Sequence, residues 1–454
     1  MQKLFGTDGI RGEANTYPMD GQTAFRVGQA VARYFMENCQ AQFPSPSVIV
    51  GQDTRISGDM LAQAVASGIC SAGVDVSLPG VLPTPAVAYL VRKHKAMAGI
   101  VISASHNPFA DNGIKVFDAG GYKLSDDDEV RIETLIENQD VAAPVQPEKI
   151  GRLRALDDAV KVYIDFLLDS SPELSLQGKT LVIDCSNGAT FQAAPAVFEK
   201  LGARVVCISC SPDGLNINAN CGSQYPQQLA REVVKQKAHL GLAFDGDGDR
   251  LIAVDENGKI LTGDQIMVIC AQYLMGASLL KNKTVVSTVM SNLGFHQALG
   301  QMGITSLITP VGDRYVIQKM LDVDAVLGGE DSGHMIFRDV HTTGDGLLAA
   351  LRLLTAMQAA EQPLSNLARL MTVYPQVLVN VNVKEKPAIE SIPEIVGAIQ
   401  RVENDLGNKG RVLVRYSGTQ NKCRVMVEGP TMEKTSMSCQ EIVEVVRKAI
   451  GSAQ

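Results

Sequence analysis

At 454 residues the chain is too long for one hydrophobic core, and the usual domain size divides it into three or four parts. With 45% apolar and 20% charged residues and no Trp, it has an ordinary soluble composition, and no apolar run approaches the roughly 20 residues that span a bilayer. The net charge of −8 argues against sequence-independent nucleic-acid binding, which needs a basic face, while leaving room for a locally basic cleft that takes small anions.

The first residues, MQKLFGTDGIRGE, lack the apolar stretch and cleavage site of a secretory signal, which predicts a cytoplasmic protein. Within them FGTDGIRG at 5–12 sets three glycines around Asp8 and Arg11, a backbone flexible enough to approach an anion and equally suited to a plain tight turn. A pattern then recurs three times: VIVGQDTRISG at 48–58, LVIDCSNGAT at 181–190 and VVSTVMSNLG at 285–294 each run from an apolar strand into a Gly-containing turn. A helix follows each time, and a second Gly ends it before another strand. Repeated βαβ units of this kind predict an α/β fold with mixed or parallel sheets covered by helices, whose strand C-termini make the floor of a site.

Between the first two copies, AGIVISASHNPFADNGIKVF at 98–117 reads as strand, polar loop, strand. Ser105, His106 and Asn107 lie side by side there, and Pro108 stiffens the turn. Alternation along an extended chain would send neighbouring side chains to opposite faces, placing His106 poorly to take a proton from Ser105. An amphipathic helix with an acidic first turn is expected at 126–139; the two prolines of DVAAPVQPEKIG at 140–151 mark a domain boundary, and another helix is expected at 157–168.

GLAFDGDGDRLIAV at 241–254 brings Asp245, Asp247 and Asp249 to one side of an extended segment. Three carboxylates so placed repel one another unless a cation lies between them, and hard oxygen ligands suit Mg²⁺. A calcium-binding EF-hand would need Gly where Arg250 stands and helices where strands are expected; the same run could also belong to an aspartate-nucleophile phosphatase or to a bare acidic turn. Further on, TPVGDRYV at 309–316 precedes GGEDSGHMIF at 328–337, whose Glu330, Asp331, Ser332 and His334 form an array of donors and acceptors suited to sugar hydroxyls. A helix behind Thr and Asp caps is expected within 341–357, and the pattern changes near Tyr374 and Pro375. The last segment pairs two strands around a loop carrying Arg415, Ser417, Gly418, Thr419 and Asn421, with Arg424 on the return strand: a phosphate clamp. Nine scattered cysteines read as reduced core thiols, the CxxC spacing of Cys207 and Cys210 having no second pair or His to complete a metal site.

A serine on a stiff loop, a carboxylate cage, a hydroxyl reader and a distal phosphate clamp are the parts of a phosphoryl-transfer enzyme acting on a sugar phosphate. No GxxxxGK[ST] loop is present to hold a nucleoside triphosphate, so ATP is not the expected donor. The motifs FGTDGIRG, SASHNP, DGDGDR, GEDSGH and RYSGT occur in the order found in the α-D-phosphohexomutases, which the whole chain resembles, most of all those acting on glucosamine phosphates. The resemblance implies four domains around a central cleft, three similar mixed α/β domains and a smaller α+β C-terminal one. We place them at 1–150 (phosphoserine loop), 151–256 (Mg²⁺ loop), 257–370 (sugar loop) and 371–454 (phosphate clamp).

The same resemblance implies interconversion of glucosamine 6-phosphate and glucosamine 1-phosphate, supplying amino-sugar precursors for UDP-N-acetylglucosamine and the cell wall. A phosphomannomutase or phosphoglucomutase is the close rival and a Mg²⁺-dependent sugar phosphatase the distant one. Ser105 would carry the phosphoryl group, Mg²⁺ would be held by Ser105, Asp245, Asp247 and Asp249, and glucosamine 1,6-bisphosphate would be the intermediate and activator. Arg11, Lys115, His106 and Arg250 would serve catalysis; Gly312, Asp313, Glu330, Asp331, Ser332 and His334 would hold the sugar, and Arg415, Ser417, Gly418, Thr419 and Arg424 its distal phosphate. The expected partner is a hexosamine phosphate, with no nucleic acid and no membrane, and a homodimer is allowed. Two departures stand out. Gln420, Asn421 and Lys422 replace the family's usual Glu and Pro after the clamp threonine, and Asp331 stands where Met or Gln is usual, its carboxylate expected to face the C2 ammonium of glucosamine.

Overall fold

The computed structural model describes residues 4–6, 8–39, 43, 45–137, 145–417 and 420–452. Their contacts separate into two compact units, Met1–Met290 with Ile304–Leu370, and Ser291–Gly303 with Met371–Gln454.

The first unit holds three sheets. Strands β1 (Ile10–Glu13), β2 (Ser47–Gln52), β3 (Asp75–Val81), β4 (Ala98–Ile102), β5 (Asp111–Asp118) and β6 (Leu153–Ala155) lie in the order β1-β5-β4-β2-β3-β6. Strands β7 (Thr180–Asp184), β8 (Arg204–Ile208), β9 (Leu240–Phe244), β10 (Leu251–Asp255) and β11 (Ile260–Leu261) lie in the order β11-β10-β9-β7-β8. Strands β12 (Thr284–Thr288), β13 (Thr305–Thr309), β14 (Leu327–Gly329) and β15 (Met335–Phe337) lie in the order β13-β12-β14-β15. Two sheets run past the boundaries expected from sequence. β6 pairs in parallel with β3 beyond position 150, and β11 closes onto β10 beyond position 256.

One topology is repeated in all three sheets. The first strand of each repeat, β2, β7 or β12, pairs in parallel with the next two, as the βαβ pattern predicts. The third parallel strand then turns back into an antiparallel partner: β4 into β5, β9 into β10, β14 into β15. Ser105, the Asp245–Asp249 triad and the Glu330–His334 segment occupy that same turn in successive repeats. The fully buried β4 and β9 read as continuous apolar runs because both of their faces are covered. On the first sheet the helices Gly21–Cys39 and Gly58–Ser71 touch backbone to backbone; a Cβ on Gly28 would stand 2.1 Å from the Val65 carbonyl oxygen, and one on Gly68 2.0 Å from that of Phe25.

Within the first unit His341 joins the segment before the helix Gly346–Ala360 to the start of the helix Thr84–His94. Its Nε2–H donates to the Pro85 carbonyl at 2.9 Å, and its Nδ1 accepts from the Thr342 N–H at 2.8 Å. Burial, with Arg92 nearby, pushes the imidazole down to about 4. Below its ordinary value near 6.5 the unfolded chain binds this proton and the folded chain does not, so the contribution is full above that pH and is lost as pH falls toward about 4. His341→Gln should therefore lower Tm most at neutral pH, with the gap to wild type closing on acidification; thermal melts across the window check the sign, and a widening gap reverses it.

The second unit carries β16 (Gln376–Asn382), β17 (Arg411–Tyr416) and β18 (Lys422–Glu428) in the order β16-β18-β17, all antiparallel, with the helices Pro393–Leu406 and Met432–Ile450. The helix Leu293–Gln301, which follows β12 in the third repeat, groups by its contacts with this unit. The buried Glu428 carboxylate accepts from the Leu293 N–H at 2.8 Å and from Arg411 Nε at 2.8 Å, and Asn292 Nδ2 donates to the Tyr374 carbonyl at 3.0 Å.

Candidate active site

In the first unit the three repeated turns bring their polar residues together. Ser105, 1% exposed, adopts φ +52°, a left-handed conformation that costs an L-residue roughly 1 kcal/mol. This breaks strand alternation. The expectation that His106 faces away from Ser105 fails for that reason: His106 Nδ1 lies 3.3 Å from Ser105 Oγ. Burial, reinforced by Arg250 and Arg11, pushes His106 down to about 4, so it is a neutral imidazole at physiological pH. Ser105 Oγ donates to Asp245 Oδ2 at 2.7 Å.

Asp245, Asp247 and Asp249 each offer an oxygen within 4.8 Å of the others, and all three are buried. Burial, with Asp249 and Asp247 alongside, pushes Asp245 well above the usual carboxylate range. Asp247 and Asp249 are also desolvated, yet both are lowered: Asp247 chiefly by Lys115, Asp249 by His334, Lys115 and Arg250. Asp247 Oδ1 and Asp249 Oδ1 are buried with no hydrogen-bond partner among the described residues. Three hard oxygens, two of them unsatisfied, fit a divalent cation. The turn joins antiparallel strands, so the EF-hand reading is set aside.

Cations encircle the cage. Lys115, 2% exposed, lies 2.8 Å from Asp247, 3.2 Å from Asp8 and 3.9 Å from Asp249. Burial alone would lower its pKa, but these carboxylates raise it and keep it an ammonium. Arg11 pairs with Asp8 and reaches the Ala104 carbonyl at 3.5 Å. Arg250 Nε is 3.7 Å from Asp249, and its backbone N–H donates to Asp245 at 3.2 Å.

From the third repeat, His334 stands with Nδ1 3.5 Å from Asp249 and Nε2 3.6 Å from Asp313. Glu330 accepts from the Gly312 N–H at 3.0 Å, and Ser332 is exposed. Asp331 departs from expectation. Its carboxyl turns to Thr262 and to the backbone N–H of Asp264 in the first turn of the helix Gly263–Gly276; burial pushes it up, and these hydrogen bonds offset the rise in part. These contacts place the Asp331 carboxyl at the start of that helix, beside its Thr262 cap. Asp331→Ala should therefore cost about 1 kcal/mol of stability while leaving the ratio of kcat/KM for glucosamine and glucose phosphates unchanged, as melts and a substrate comparison would show.

In the second unit Arg415 and Arg424 are direct cross-strand partners. Burial and the adjacent Arg424 lower the Arg415 pKa, and Arg424 Nε is buried without a hydrogen-bond partner among the described residues. Two guanidiniums so placed call for an anion. Ser417 Oγ accepts from the Gln420 N–H at 3.3 Å; Gly418 and Thr419 lie outside the described residues.

Several residues of these sites carry no sequence signal that singles them out. Lys123 Nζ pairs with Asp8 at 2.5 Å and with Asp313 at 2.6 Å, tying the first repeat to the third. Thr84 Oγ1 donates to Asp247 at 2.6 Å, and Lys386 Nζ donates to the Ser417 carbonyl at 2.8 Å. The doubled glycine before Tyr122 is the one hint for Lys123, since the turn it makes pairs Lys123 back onto Phe117.

Profiles of the four phosphoglucomutase/phosphomannomutase domains match the chain in order: domain I at 2–143, domain II at 161–258, domain III at 262–374 and the C-terminal domain at 378–445. The phosphoglucosamine mutase of Syntrophus aciditrophicus is 52% identical over 454 residues, covering 99% of this chain and 100% of its own. That of Syntrophobacter fumaroxidans is 53% identical over 453 residues, with the same coverage of both. Among solved structures, a phosphoglucomutase/phosphomannomutase family protein from Burkholderia thailandensis superimposes with a TM-score of 0.80 at 23% identity, over 99% of this chain and 98% of its own. The Aspergillus fumigatus N-acetylphosphoglucosamine mutase in complex with GlcNAc-6P and magnesium gives 0.69 at 16% identity, over 99% and 96%. Among the described residues no helix is long and apolar enough to cross a membrane.

Proposed function

The chain belongs to the phosphoglucomutase/phosphomannomutase family, and from that premise we propose that it interconverts glucosamine 6-phosphate and glucosamine 1-phosphate through a phosphorylated Ser105. The observation that carries the choice of sugar is identity above one half, end to end, with phosphoglucosamine mutases. The reaction is an isomerisation. The bond from phosphorus to Ser105 Oγ breaks as a bond to the sugar's free hydroxyl oxygen forms, and that hydroxyl gives up its proton. The resulting glucosamine 1,6-bisphosphate turns over, and the phosphoryl group first bound distally passes to Ser105 Oγ: its bond to the sugar oxygen breaks, the serine hydroxyl gives up its proton and the freed sugar oxygen takes one up.

The residues divide this work by charge. Mg²⁺ bound by Asp245, Asp247, Asp249 and a phosphoserine oxygen would supply charge neutralisation at the transferring group. Lys115, Arg11 and Arg250 bring fixed positive charge to the same place. Lys115, held as an ammonium, can donate a proton, and the neutral His106 can accept one. Glu330, Ser332, His334, Gly312 and Asp313 supply sugar-facing polar groups, and Arg415, Ser417 and Arg424 a phosphate site. A panel of glucosamine, glucose and mannose 6-phosphates tests the assignment: kcat/KM should be highest for glucosamine 6-phosphate. Faster turnover of mannose or glucose 6-phosphate would move the enzyme elsewhere in the family.

A further inference from the structure

The turn that presents Ser105 has no strand partner, so its backbone groups must be satisfied by other means. The Ser105 N–H donates to Ser103 Oγ at 2.9 Å, and Ser103 Oγ–H donates to Asp53 at 2.5 Å. Asp53 pairs with Arg55, both side chains being fully buried. Arg55 Nη2 returns to the turn, donating to the carbonyls of Ser105 at 3.2 Å and Asn107 at 2.6 Å. All of these residues belong to the first repeat. A second donor reaches the same two carbonyls from the second repeat: Asn218 Nδ2, at 2.9 Å from Ser105 O and 3.0 Å from Asn107 O.

The position of Asn218 is itself fixed. It adopts φ +57°, which Asn tolerates better than most residues, and its N–H donates to the Ser186 carbonyl at 2.9 Å. The Ser105 carbonyl and the Asn218 amide converge on the metal-cage turn at Gly246. A Cβ there would stand 2.6 Å from Ser105 O and 2.7 Å from Asn218 Nδ2, so only glycine fits. Phosphoryl transfer needs Ser105 Oγ and the carboxylate cage in one fixed relation, and displacement by about 1 Å is enough to cost ~10²-fold. Arg55 fixes the turn within its own repeat. Asn218 fixes it against the repeat that carries the cage.

We propose that Asn218 is a positioning residue, registering the Ser105 turn against the Asp245–Asp249 cage by its paired hydrogen bonds to the Ser105 and Asn107 carbonyls. The inference rests on the reading of Ser105 as the phosphoryl carrier. Asn218→Gly tests it, since glycine adopts the same backbone conformation and removes the side chain that makes the two bonds. The variant should melt as wild type does, with kcat down about 10- to 100-fold and KM for glucosamine 6-phosphate little changed. Its Ser105 phosphate, loaded from glucose 1,6-bisphosphate and followed by intact mass, should be lost to water faster than in wild type. A merely structural role would lower Tm without that split between kcat and KM. Asn218→Asp serves as the second variant, keeping size and backbone while turning a carboxylate toward the two carbonyls, and it should fall below Asn218→Gly in kcat. A folded variant of either kind with wild-type kcat and phosphoserine lifetime overturns the proposal, and the reading of Ser105 then survives if the phosphate maps to it. A wild-type enzyme that takes no phosphate on Ser105 overturns both.

Discussion

The Ser105→Ala variant should lose about 10⁴-fold or more in kcat while remaining folded and still binding the sugar phosphate. The hydroxyl oxygen is the only heavy atom removed, and no neighbour can take its place. Asp245 accepts from it at 2.7 Å, but a carboxylate already committed to the cage is not free to carry the phosphoryl group. The fold should tolerate the change. Alanine meets the same roughly 1 kcal/mol penalty at φ +52° that serine does, and the backbone ties through Ser103, Arg55 and Asn218 do not involve the side chain. A coupled assay for glucosamine 1-phosphate gives the rate, and intact mass after incubation with a hexose 1,6-bisphosphate gives the phosphate. Glucosamine 1-phosphate still formed by this variant would move the phosphoryl carrier away from Ser105, and release of inorganic phosphate without that product would point to a phosphatase using Asp245, which does not need the serine.

The Asp245→Asn variant should separate function from stability. Charge neutralisation by a bound metal is worth several kcal/mol, so losing one ligand should lower kcat on the order of 10³-fold at about 1.4 kcal/mol per decade. The fold should gain. Asp245 is the member of the triad pushed up by burial and by its two neighbours, so a neutral amide relieves repulsion that a metal-free protein must bear. Without added metal the variant should melt higher than wild type. With saturating MgCl₂ the order should change, because ligand binding raises wild-type stability by about 2.7 kcal/mol at a hundredfold excess over Kd and the variant gains less. Melting curves with and without MgCl₂ decide the matter: equal Mg²⁺-induced shifts in the two proteins would remove Asp245 from the metal site.

Much of this site was legible because its chemistry is written in short local runs. Three aspartates spaced by glycines in so short a run stay within reach of one another, although they converge from a turn and not from the extended segment expected, and a Ser-His-Asn-Pro run between apolar strands must be a turn. What the turn does with its side chains was not legible. Ser105 departs from strand alternation because Arg55 and Asn218, respectively 50 and 113 positions away, hold its carbonyl. Asp331 sits in a recognisable motif, yet its carboxyl follows a helix terminus whose proximity depends on the whole third sheet. Lys123 pairs with Asp313 across 190 positions, a distance over which periodicity carries no information. The repeats were visible as βαβ units; that their chemistry occupies one equivalent turn in each emerges only from the antiparallel return strands.

The helix Leu293–Gln301 sets an order of events during synthesis. Its N-terminal partner, the Glu428 carboxylate, lies 135 positions downstream of Leu293. At about 5 to 20 residues per second, on the order of ten seconds separate the two as they leave the ribosome. Nine residues are too few for a stable isolated helix, so during that interval the segment has neither the length nor the acceptor for its first N–H that would hold it helical. The nascent chain thus carries a helix start whose first N–H lacks its carboxylate until the last strand is made, and a chain cut short before Glu428 never supplies that acceptor.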